Sequence, residues 1–164
     1  MQKVLVTGGL GYIGSHTVVE LQNAGFEVVI IDNLSNSSME VLDGIIEITE
    51  KIPLFEKIDL RQKSKVIQFF EKHQDISGII HFAASKAVGE SVENPLLYYE
   101  NNLTTLIYLL QACNNYTIEN FIFSSSCTVY GEPDKLPINE SAPIKKATSP
   151  YGNTKQISEE ILND

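Results

Sequence analysis

Short continuous runs of apolar residues alternate along this chain with longer segments in which apolar residues recur at helical intervals. Continuous runs are typical of strands in a parallel sheet that is covered on both faces. Five such runs predict strands over residues 3–7, 27–31, 54–58, 76–82 and 120–124. Helical periodicity predicts helices from Tyr12 to about residue 24, over 41–48, around 66–70, over 95–114 and from near Pro150.

This alternation of strands and helices predicts right-handed parallel crossovers, and hence an α/β fold with a doubly wound parallel sheet. We expect the strand order 3-2-1-4-5, with a ligand crevice between strands 1 and 4 at their carboxyl ends. Four of the six prolines fall within residues 132–150, so that span is predicted to be a loop. No repeat, low-complexity tract or linker divides the chain, and we expect one domain over residues 1–164.

Glycines follow the first predicted strand directly, in the sequence TGGLGYIG over residues 7–14. Gly9, Gly11 and Gly14 fit the pattern G-x-G-x-x-G, and Gly8, Gly11 and Gly14 also fit a wider G-x-x-G-x-x-G. A glycine can adopt the positive φ of a tight turn, and without a Cβ it lets the backbone approach a pyrophosphate. The following helix N-terminus adds unpaired N–H groups and a partial positive charge. The unit predicts a Rossmann-like dinucleotide site, although glycines alone would also suit an ordinary loop.

An acidic residue, Asp32, follows the second predicted strand and lies 18 residues beyond Gly14. A carboxylate at this distance can accept hydrogen bonds from the ribose hydroxyls of an adenosine, and it would repel a 2′-phosphate. The sequence therefore favours NAD over NADP as the cofactor. The alternative is that Asp32 only caps a turn at the strand end.

Tyr151 and Lys155 stand four residues apart on the last predicted helix and therefore share a face. A cation about 4 Å from a phenol favours the phenolate by roughly 4 kcal/mol at an effective dielectric constant near 20. The pair can thus supply a base that removes a hydroxyl proton, although Tyr-x-x-x-Lys also occurs on ordinary helix surfaces. Ser126 and Thr128 lie beyond the fifth strand, where open sheets place their ligands, and either could hydrogen-bond a substrate hydroxyl. The alternative is that they satisfy loop backbone.

Charge and cysteine content narrow the classes of partner. Twelve basic and 21 acidic residues give a net charge of −9 without a Lys/Arg cluster, which argues against nucleic acid and anionic membranes as partners. Cys113 and Cys127 lack metal-ligand spacing, so we expect no metal site and two reduced core thiols. No apolar run approaches a membrane span, and a strand that begins at Lys3 leaves no room for a signal peptide. We therefore expect a cytoplasmic protein.

Besides TGGLGYIG, the chain carries the motifs DNL at 32–34, HFAA at 81–84, KAVGES at 86–91, SSS at 124–126, TVYG at 128–131 and SPYG at 149–152. Together these motifs resemble the extended short-chain dehydrogenase/reductase family, and within it the enzymes that epimerise nucleotide sugars at C4. The resemblance covers nearly the whole chain, and KAVGES is its most specific part. Dehydratase relatives carry an Asp-Glu pair where this chain has Cys127 and Thr128, a departure that favours epimerisation.

The resemblance implies NAD-dependent 4-epimerisation of a UDP-hexose, between UDP-galactose and UDP-glucose, by transient oxidation at C4. Tyr151 would remove the proton of the sugar 4-hydroxyl, Lys155 would hold the nicotinamide ribose, and Ser126 would assist at the sugar hydroxyl. Lys86 and Thr128 would also contact the substrate. The residues implied to contact NAD are Gly8, Gly11, Tyr12, Ile13, Gly14, Asp32, Asn33, Asp59, Leu60, Phe82, Ala83, Ala84, Lys86, Asn101, Ser124, Tyr151 and Lys155.

Members of this family continue beyond the tyrosine-bearing helix, with a sixth strand and a region that binds the nucleotide sugar. We therefore expect residues 1–164 to be a truncated NAD-binding domain whose C-terminal substrate region is absent. The fifth strand would then be an apolar edge over residues 120–123, suited to homo-oligomer formation or aggregation. Three functions remain open: an epimerase in the full-length parent, an inert NAD-binding module in this chain, or a related nucleotide-sugar dehydratase or decarboxylase.

Overall fold

The computed structural model describes residues 2–164 as alternating strands and helices. The strands are β1 (Lys3–Thr7), β2 (Glu27–Asp32), β3 (Leu54–Lys57), β4 (Ile76–His81) and β5 (Asn120–Phe123). The helices are α1 (Tyr12–Asn23), α2 (Met39–Thr49), α3 (Lys63–Lys72), α4 (Val88–Glu93), α5 (Pro95–Tyr116) and α6 (Pro150–Asn163), with a 3₁₀ helix at Cys127–Tyr130.

All five strands form one parallel sheet in the order β3-β2-β1-β4-β5, which confirms the predicted topology. In the register of the central strands, Thr7 pairs with Ile31 on one side and with His81 on the other. The strand order reverses between β1 and β4, so the carboxyl ends of these two strands form the topological switch point of the sheet. Strand β5 lies at the sheet edge, and its Ile122 side chain is 60% exposed.

Helices cover both faces of the sheet, because successive strand residues point to opposite sides. Leu5 packs in one buried cluster with apolar residues of α3 and of the C-terminal part of α5. Its neighbours Val4 and Val6 pack in a second cluster with residues of α1 and α2. Burial on both faces explains why these strands are continuous apolar runs rather than alternating ones.

The chain divides into two compact units, and α5 belongs in part to each of them. Unit 1 comprises residues 1–83 and 108–124 and contains the entire sheet with both clusters. Unit 2 comprises residues 84–107 and 125–164, and within it α6 contacts both α4 and the 3₁₀ helix. None of the helices in residues 2–164 has the length and apolar character needed to cross a membrane.

Two short elements and one side chain differ from the sequence predictions. Helix α4 and the 3₁₀ helix were not predicted, because six and four residues are too few to show a helical apolar period. Cys113 is buried as expected, but the prediction that Cys127 is a core thiol is wrong, because its side chain is exposed. In the 3₁₀ helix the buried position is taken by Val129.

Candidate functional site

The turn after β1 requires glycine at its first position. Gly8 has a φ of +67°, and its N–H donates a hydrogen bond to the Ile31 carbonyl oxygen at 2.8 Å. A Cβ on Gly8 would lie 2.8 Å from the backbone nitrogen of Ala83, in the segment that follows β4. A side chain here would therefore be strained and would also collide with backbone at the switch point of the sheet.

Gly14 allows α1 to begin directly against this turn. A Cβ on Gly14 would lie 2.2 Å from the Gly8 carbonyl oxygen, far inside van der Waals contact. Gly11 is the N-cap residue of α1 and offers no side chain to cap the first N–H groups of the helix. Tyr12 and Ile13 in the first helical turn are 77% and 59% exposed. The helix thus presents a positive N-terminus that an anionic group can approach.

The Asp32 carboxylate joins the glycine turn to the loop after β2. Its Oδ2 accepts a hydrogen bond from the Leu10 N–H at 3.1 Å, and its Oδ1 accepts from the Leu34 N–H at 2.9 Å. The Ser37 hydroxyl also donates to Oδ1, at 2.8 Å. A carboxylate has about four acceptor positions, so these three bonds leave room for one further donor. A second ribose hydroxyl would have to displace the hydroxyl of Ser37.

An open cavity of about 420 Å³ lies beside this loop in unit 1. It brings together two residues implied to contact the cofactor, Asn33 and Asp59, while Leu60 next to Asp59 packs in the core at 4% exposure. The full lining is Asn33, Ser35, Lys57, Asp59, Arg61, Gln62 and Lys65. The basic residues Lys57, Arg61 and Lys65 were not predicted as site residues from the sequence. No motif distinguishes them from ordinary surface residues near a short strand and a helix start.

Arg61 holds the Asp59 carboxylate in place at this cavity. The guanidinium Nη2 lies 2.7 Å from Oδ2, and Nε lies 3.0 Å from Oδ1. These hydrogen bonds lower the pKa of Asp59 below its ordinary value, so the group is ionised at neutral pH. The fixed carboxylate can accept a hydrogen bond from a ligand amine or hydroxyl.

The segment after β4 begins at the switch point. The Phe82 N–H donates to the Thr7 carbonyl oxygen at 3.1 Å, which continues the pairing of β1 and β4 by one residue. The Thr7 hydroxyl lies 2.6 Å from Nδ1 of the buried His81, so both side chains are structural members of the sheet. Ser124 extends β5 in the same way, because its N–H donates to the His81 carbonyl oxygen at 3.2 Å.

In unit 2, α6 carries Tyr151 in its first turn and Lys155 in its second. Ser149 caps the helix, since its Oγ accepts from the Gly152 N–H at 3.1 Å, and Pro150 suits the first helical position. Lys155 Nζ lies 6.0 Å from the centre of the Tyr151 ring. Lys155 is only 5% exposed, and this burial lowers its pKa to about 8, against the opposing influence of Glu159. The ammonium is therefore mainly charged at pH 7 and close to the phenol.

Ser126 and Thr128 form a small hydrogen-bonded pair at the start of the 3₁₀ helix. Ser126 Oγ accepts from the Thr128 hydroxyl at 3.0 Å and from the Thr128 N–H at 3.3 Å. These bonds use both lone pairs of Oγ, so the remaining capacity of Ser126 is to donate its own proton. Ser126 is thus suited to donate to a substrate oxygen. Its Oγ also satisfies a loop backbone N–H, that of Thr128, as the alternative interpretation expected.

The remaining sites implied by the resemblance lie in unit 2 near the start of α4 and in α5. Lys86 is exposed and Ala84 is half-buried. The Asn101 side chain is engaged within the protein, because its Nδ2 donates to Ser85 Oγ at 3.1 Å. Within residues 2–164 there is no cluster of three or more His, Cys, Asp or Glu side chains that could hold a metal ion.

The depressed pKa of Lys155 predicts a specific dependence of stability on pH. Its folded pKa of about 8 lies below the ordinary 10.5, so between these values the unfolded chain binds more protons than the folded one. The free energy of unfolding should therefore rise from pH 8 to pH 10.5, by about 3 kcal/mol at 1.36 kcal/mol per pKa unit. In urea titrations over this range, Lys155→Met should lose that rise, while Lys146→Met, at an exposed lysine, should keep it. Parallel profiles for the wild type and Lys155→Met would contradict the assignment.

A parallel sheet in the order 3-2-1-4-5, with a glycine turn between β1 and α1 at its switch point, defines a Rossmann-type α/β domain. The chain belongs to the NAD dependent epimerase/dehydratase family, whose model matches residues 4–164. It is 52% identical over 161 residues to the UDP-glucose 4-epimerase of Bacillus subtilis. The matched region covers 98% of this chain and 47% of the Bacillus protein.

Solved structures of epimerases share the fold. The UDP-glucose 4-epimerase from Bifidobacterium longum, in complex with NAD+ and UDP, matches with a TM-score of 0.96 and 44% sequence identity. This match covers 99% of the present chain and 48% of the Bifidobacterium chain. The UDP-glucose 4-epimerase from Stenotrophomonas maltophila, with bound NAD and formylated UDP-arabinopyranose, matches with a TM-score of 0.93 and 44% sequence identity. This match covers 100% of the present chain and 48% of the Stenotrophomonas chain. The chain thus spans about half the length of the curated relatives it matches.

Proposed function

We propose that this chain is the NAD-binding portion of a UDP-hexose 4-epimerase that interconverts UDP-galactose and UDP-glucose. The observation that carries the proposal is the glycine cradle, in which a Cβ on Gly8 or Gly14 would meet backbone at 2.8 or 2.2 Å. The exposed N-terminus of α1 beside it suits the pyrophosphate of a dinucleotide. Family membership and relatives crystallised with NAD support the same cofactor.

We assign the adenosine end of NAD to the loop after β2. Asp32 and Asn33 receive the ribose, Asp59 faces the adenine in the neighbouring cavity, and the backbone at Leu60 borders it. Gly8, Gly11, Tyr12, Ile13 and Gly14 border the pyrophosphate. The residues assigned to the nicotinamide half are Phe82, Ala83, Ala84, Lys86, Asn101, Ser124, Tyr151 and Lys155.

Proton transfer at the sugar is assigned to the side chains of unit 2. Tyr151, as phenolate beside the Lys155 ammonium, accepts the proton of the sugar 4-hydroxyl and returns it at the end of the cycle. Ser126 donates a hydrogen bond to the same sugar oxygen, and Thr128 orients Ser126. Lys86 contacts the substrate. NAD held by the residues assigned above would supply the hydride acceptor for the transient oxidation at C4.

The sequence at residues 127 and 128 favours epimerisation over dehydration. A dehydratase needs an acid to protonate a leaving hydroxyl, and neither Cys127 nor Thr128 carries a carboxyl group. Cys127 is exposed, and the Thr128 hydroxyl donates a hydrogen bond to Ser126. A second candidate function is an inert NAD-binding module, which is favoured for this chain by itself because it spans about half the length of its relatives. The cytoplasmic location and the homo-oligomer predicted from the sequence remain predictions.

One assay distinguishes the epimerase from the inert NAD-binding module. A full-length protein containing this sequence, and the 164-residue chain alone, are each incubated with NAD and UDP-galactose, and UDP-glucose is quantified by chromatography. We expect conversion by the full-length protein and none by the chain. No conversion by the full-length protein would refute the epimerase proposal, and conversion by the chain would refute the inert module.

A further inference from the structure

A buried asparagine on α5 connects the segment after β4 with helix α6, all within unit 2. Asn102 is 4% exposed, and the oxygen and the nitrogen of its side-chain amide are both hydrogen-bonded to the backbone of Ser85. Its Oδ1 accepts from the Ser85 N–H at 2.8 Å, and its Nδ2 donates to the Ser85 carbonyl oxygen at 3.0 Å. This double pairing fixes the orientation of the amide, since an exchange of oxygen and nitrogen would break both bonds.

The same Nδ2 also donates to Thr154 Oγ1 at 3.0 Å. Thr154 is fully buried and lies on α6 between Tyr151 and Lys155. Its hydroxyl donates in turn to the Tyr151 carbonyl oxygen at 2.7 Å. A chain of hydrogen bonds therefore runs from the backbone of Ser85 through Asn102 and Thr154 to the backbone of Tyr151.

A second contact from α5 reaches the same elements one helical turn earlier. Tyr98 is fully buried, and its ring stands edge-on to the Tyr151 ring with 6.4 Å between the centroids. Its hydroxyl accepts from the Ala87 N–H at 3.1 Å and donates to Glu90 at 2.6 Å. Tyr98 and Asn102 are four residues apart, so one face of α5 holds both the 85–90 segment and the first turn of α6.

We propose that Asn102, acting through Thr154, is a positioning residue that fixes the Tyr151 phenol relative to the segment carrying Lys86. This inference rests on the proposed function, in which Tyr151 is the base and Lys86 contacts the ligands. Proton transfer depends on placement at the ångström scale, and a backbone held from a neighbouring helix cannot drift by that amount without breaking buried hydrogen bonds.

A purely structural role would have a different signature. A buried, satisfied asparagine could contribute only to folding, and its loss would then lower the melting temperature without moving the phenol. Ser158 provides a matched control, because it is 1% exposed on the same helix and its hydroxyl donates to the Thr154 carbonyl oxygen within α6 at 2.7 Å. Ser158→Ala removes one buried hydroxyl from α6 and leaves the link to Asn102 intact.

The first readout uses the 164-residue chain labelled with ¹³Cζ-tyrosine, in which the Tyr151 resonance is identified by its loss in Tyr151→Phe. We expect Thr154→Val to shift this resonance, Thr154→Ser to restore it, and Ser158→Ala to leave it unchanged. Asn102→Ala should shift the resonance in the same direction, and adding Thr154→Val to it should produce little more. If Asn102→Ala does not fold, the Thr154 variants alone decide.

The second readout is steady-state turnover by the full-length protein. Thr154→Val should lower kcat roughly tenfold with KM changed less than about twofold, and Thr154→Ser should recover most of the loss. An unmoved Tyr151 resonance in Thr154→Val, or equal effects of Thr154→Val and Ser158→Ala, would overturn the inference. A full-length wild type that converts no UDP-sugar would instead refute the proposed function, because the resonance experiment needs no turnover.

Discussion

Gly14→Ala should weaken NAD binding by the chain by at least roughly a hundredfold, equivalent to about 2.7 kcal/mol. The new Cβ would lie 2.2 Å from the Gly8 carbonyl oxygen and 2.9 Å from the Gly9 Cα, and neither backbone atom can yield as a flexible side chain would. The turn or the start of α1 must shift, and the N–H groups proposed to face the pyrophosphate shift with it. Overpacking of this kind should also lower stability by about 1–3 kcal/mol. Calorimetric titration with NAD measures the affinity, and thermal melts measure the stability.

Gly44→Ala is the matched control for this substitution. Gly44 lies inside α2, and a Cβ there would have no heavy atom within 4 Å. Because alanine favours the helix over glycine, this variant should gain about 0.5–1 kcal/mol of stability and bind NAD like the wild type. Equal NAD affinity for Gly14→Ala and Gly44→Ala would show that the glycine turn is not the cofactor site.

Tyr151→Phe should lower kcat of the full-length protein by roughly 10²–10⁴-fold, the usual contribution of a general base. The ring is retained, so its edge-on contact with Tyr98 and the packing of α6 should survive. NAD affinity should therefore stay within about threefold of wild type, since in the proposed site the hydroxyl is one of many groups assigned to the cofactor. Initial rates with UDP-galactose and a calorimetric NAD titration test the two parts separately.

The control is Tyr116→Phe, which removes a phenol hydroxyl from a half-buried tyrosine that stacks on the core residue Phe70 in unit 1. It should leave both kcat and NAD affinity unchanged. If Tyr151→Phe turned over UDP-galactose at the wild-type rate, another group would have to take the proton. Lys155, whose Nζ lies 6.0 Å from the centre of the Tyr151 ring, would then be a candidate on the same helix face.

The sheet and its glycine turn could be predicted because their causes are local. Leu5 and its neighbours in β1 form an apolar run since both faces of the strand are buried, and this pattern is visible without any partner. Gly8 is required by a positive φ, and Gly14 by the absence of space for a Cβ. The helical spacing of Tyr151 and Lys155 likewise places them on one face of α6.

Features that depend on distant residues could not be predicted. The hydrogen bond from Asn102 to Thr154 joins residues 52 positions apart. Both residues are polar, so an apolar period does not mark them as buried partners. The cations Lys57 and Lys65 line the cavity with Asn33 only because β3 and the start of α3 lie beside the loop after β2. Exposure of Cys127 likewise depends on a 3₁₀ helix too short to leave an apolar period.

Binding of a dinucleotide by the turn between β1 and α1 is the central proposal. Native mass spectrometry of the wild-type chain, purified without added cofactor and then titrated with NAD, tests this directly. We predict a species with one NAD per chain, carried through purification or formed on titration, and strongly reduced in Gly14→Ala at the same NAD concentration. A chain that carries no NAD and takes up none at millimolar concentration would contradict the account.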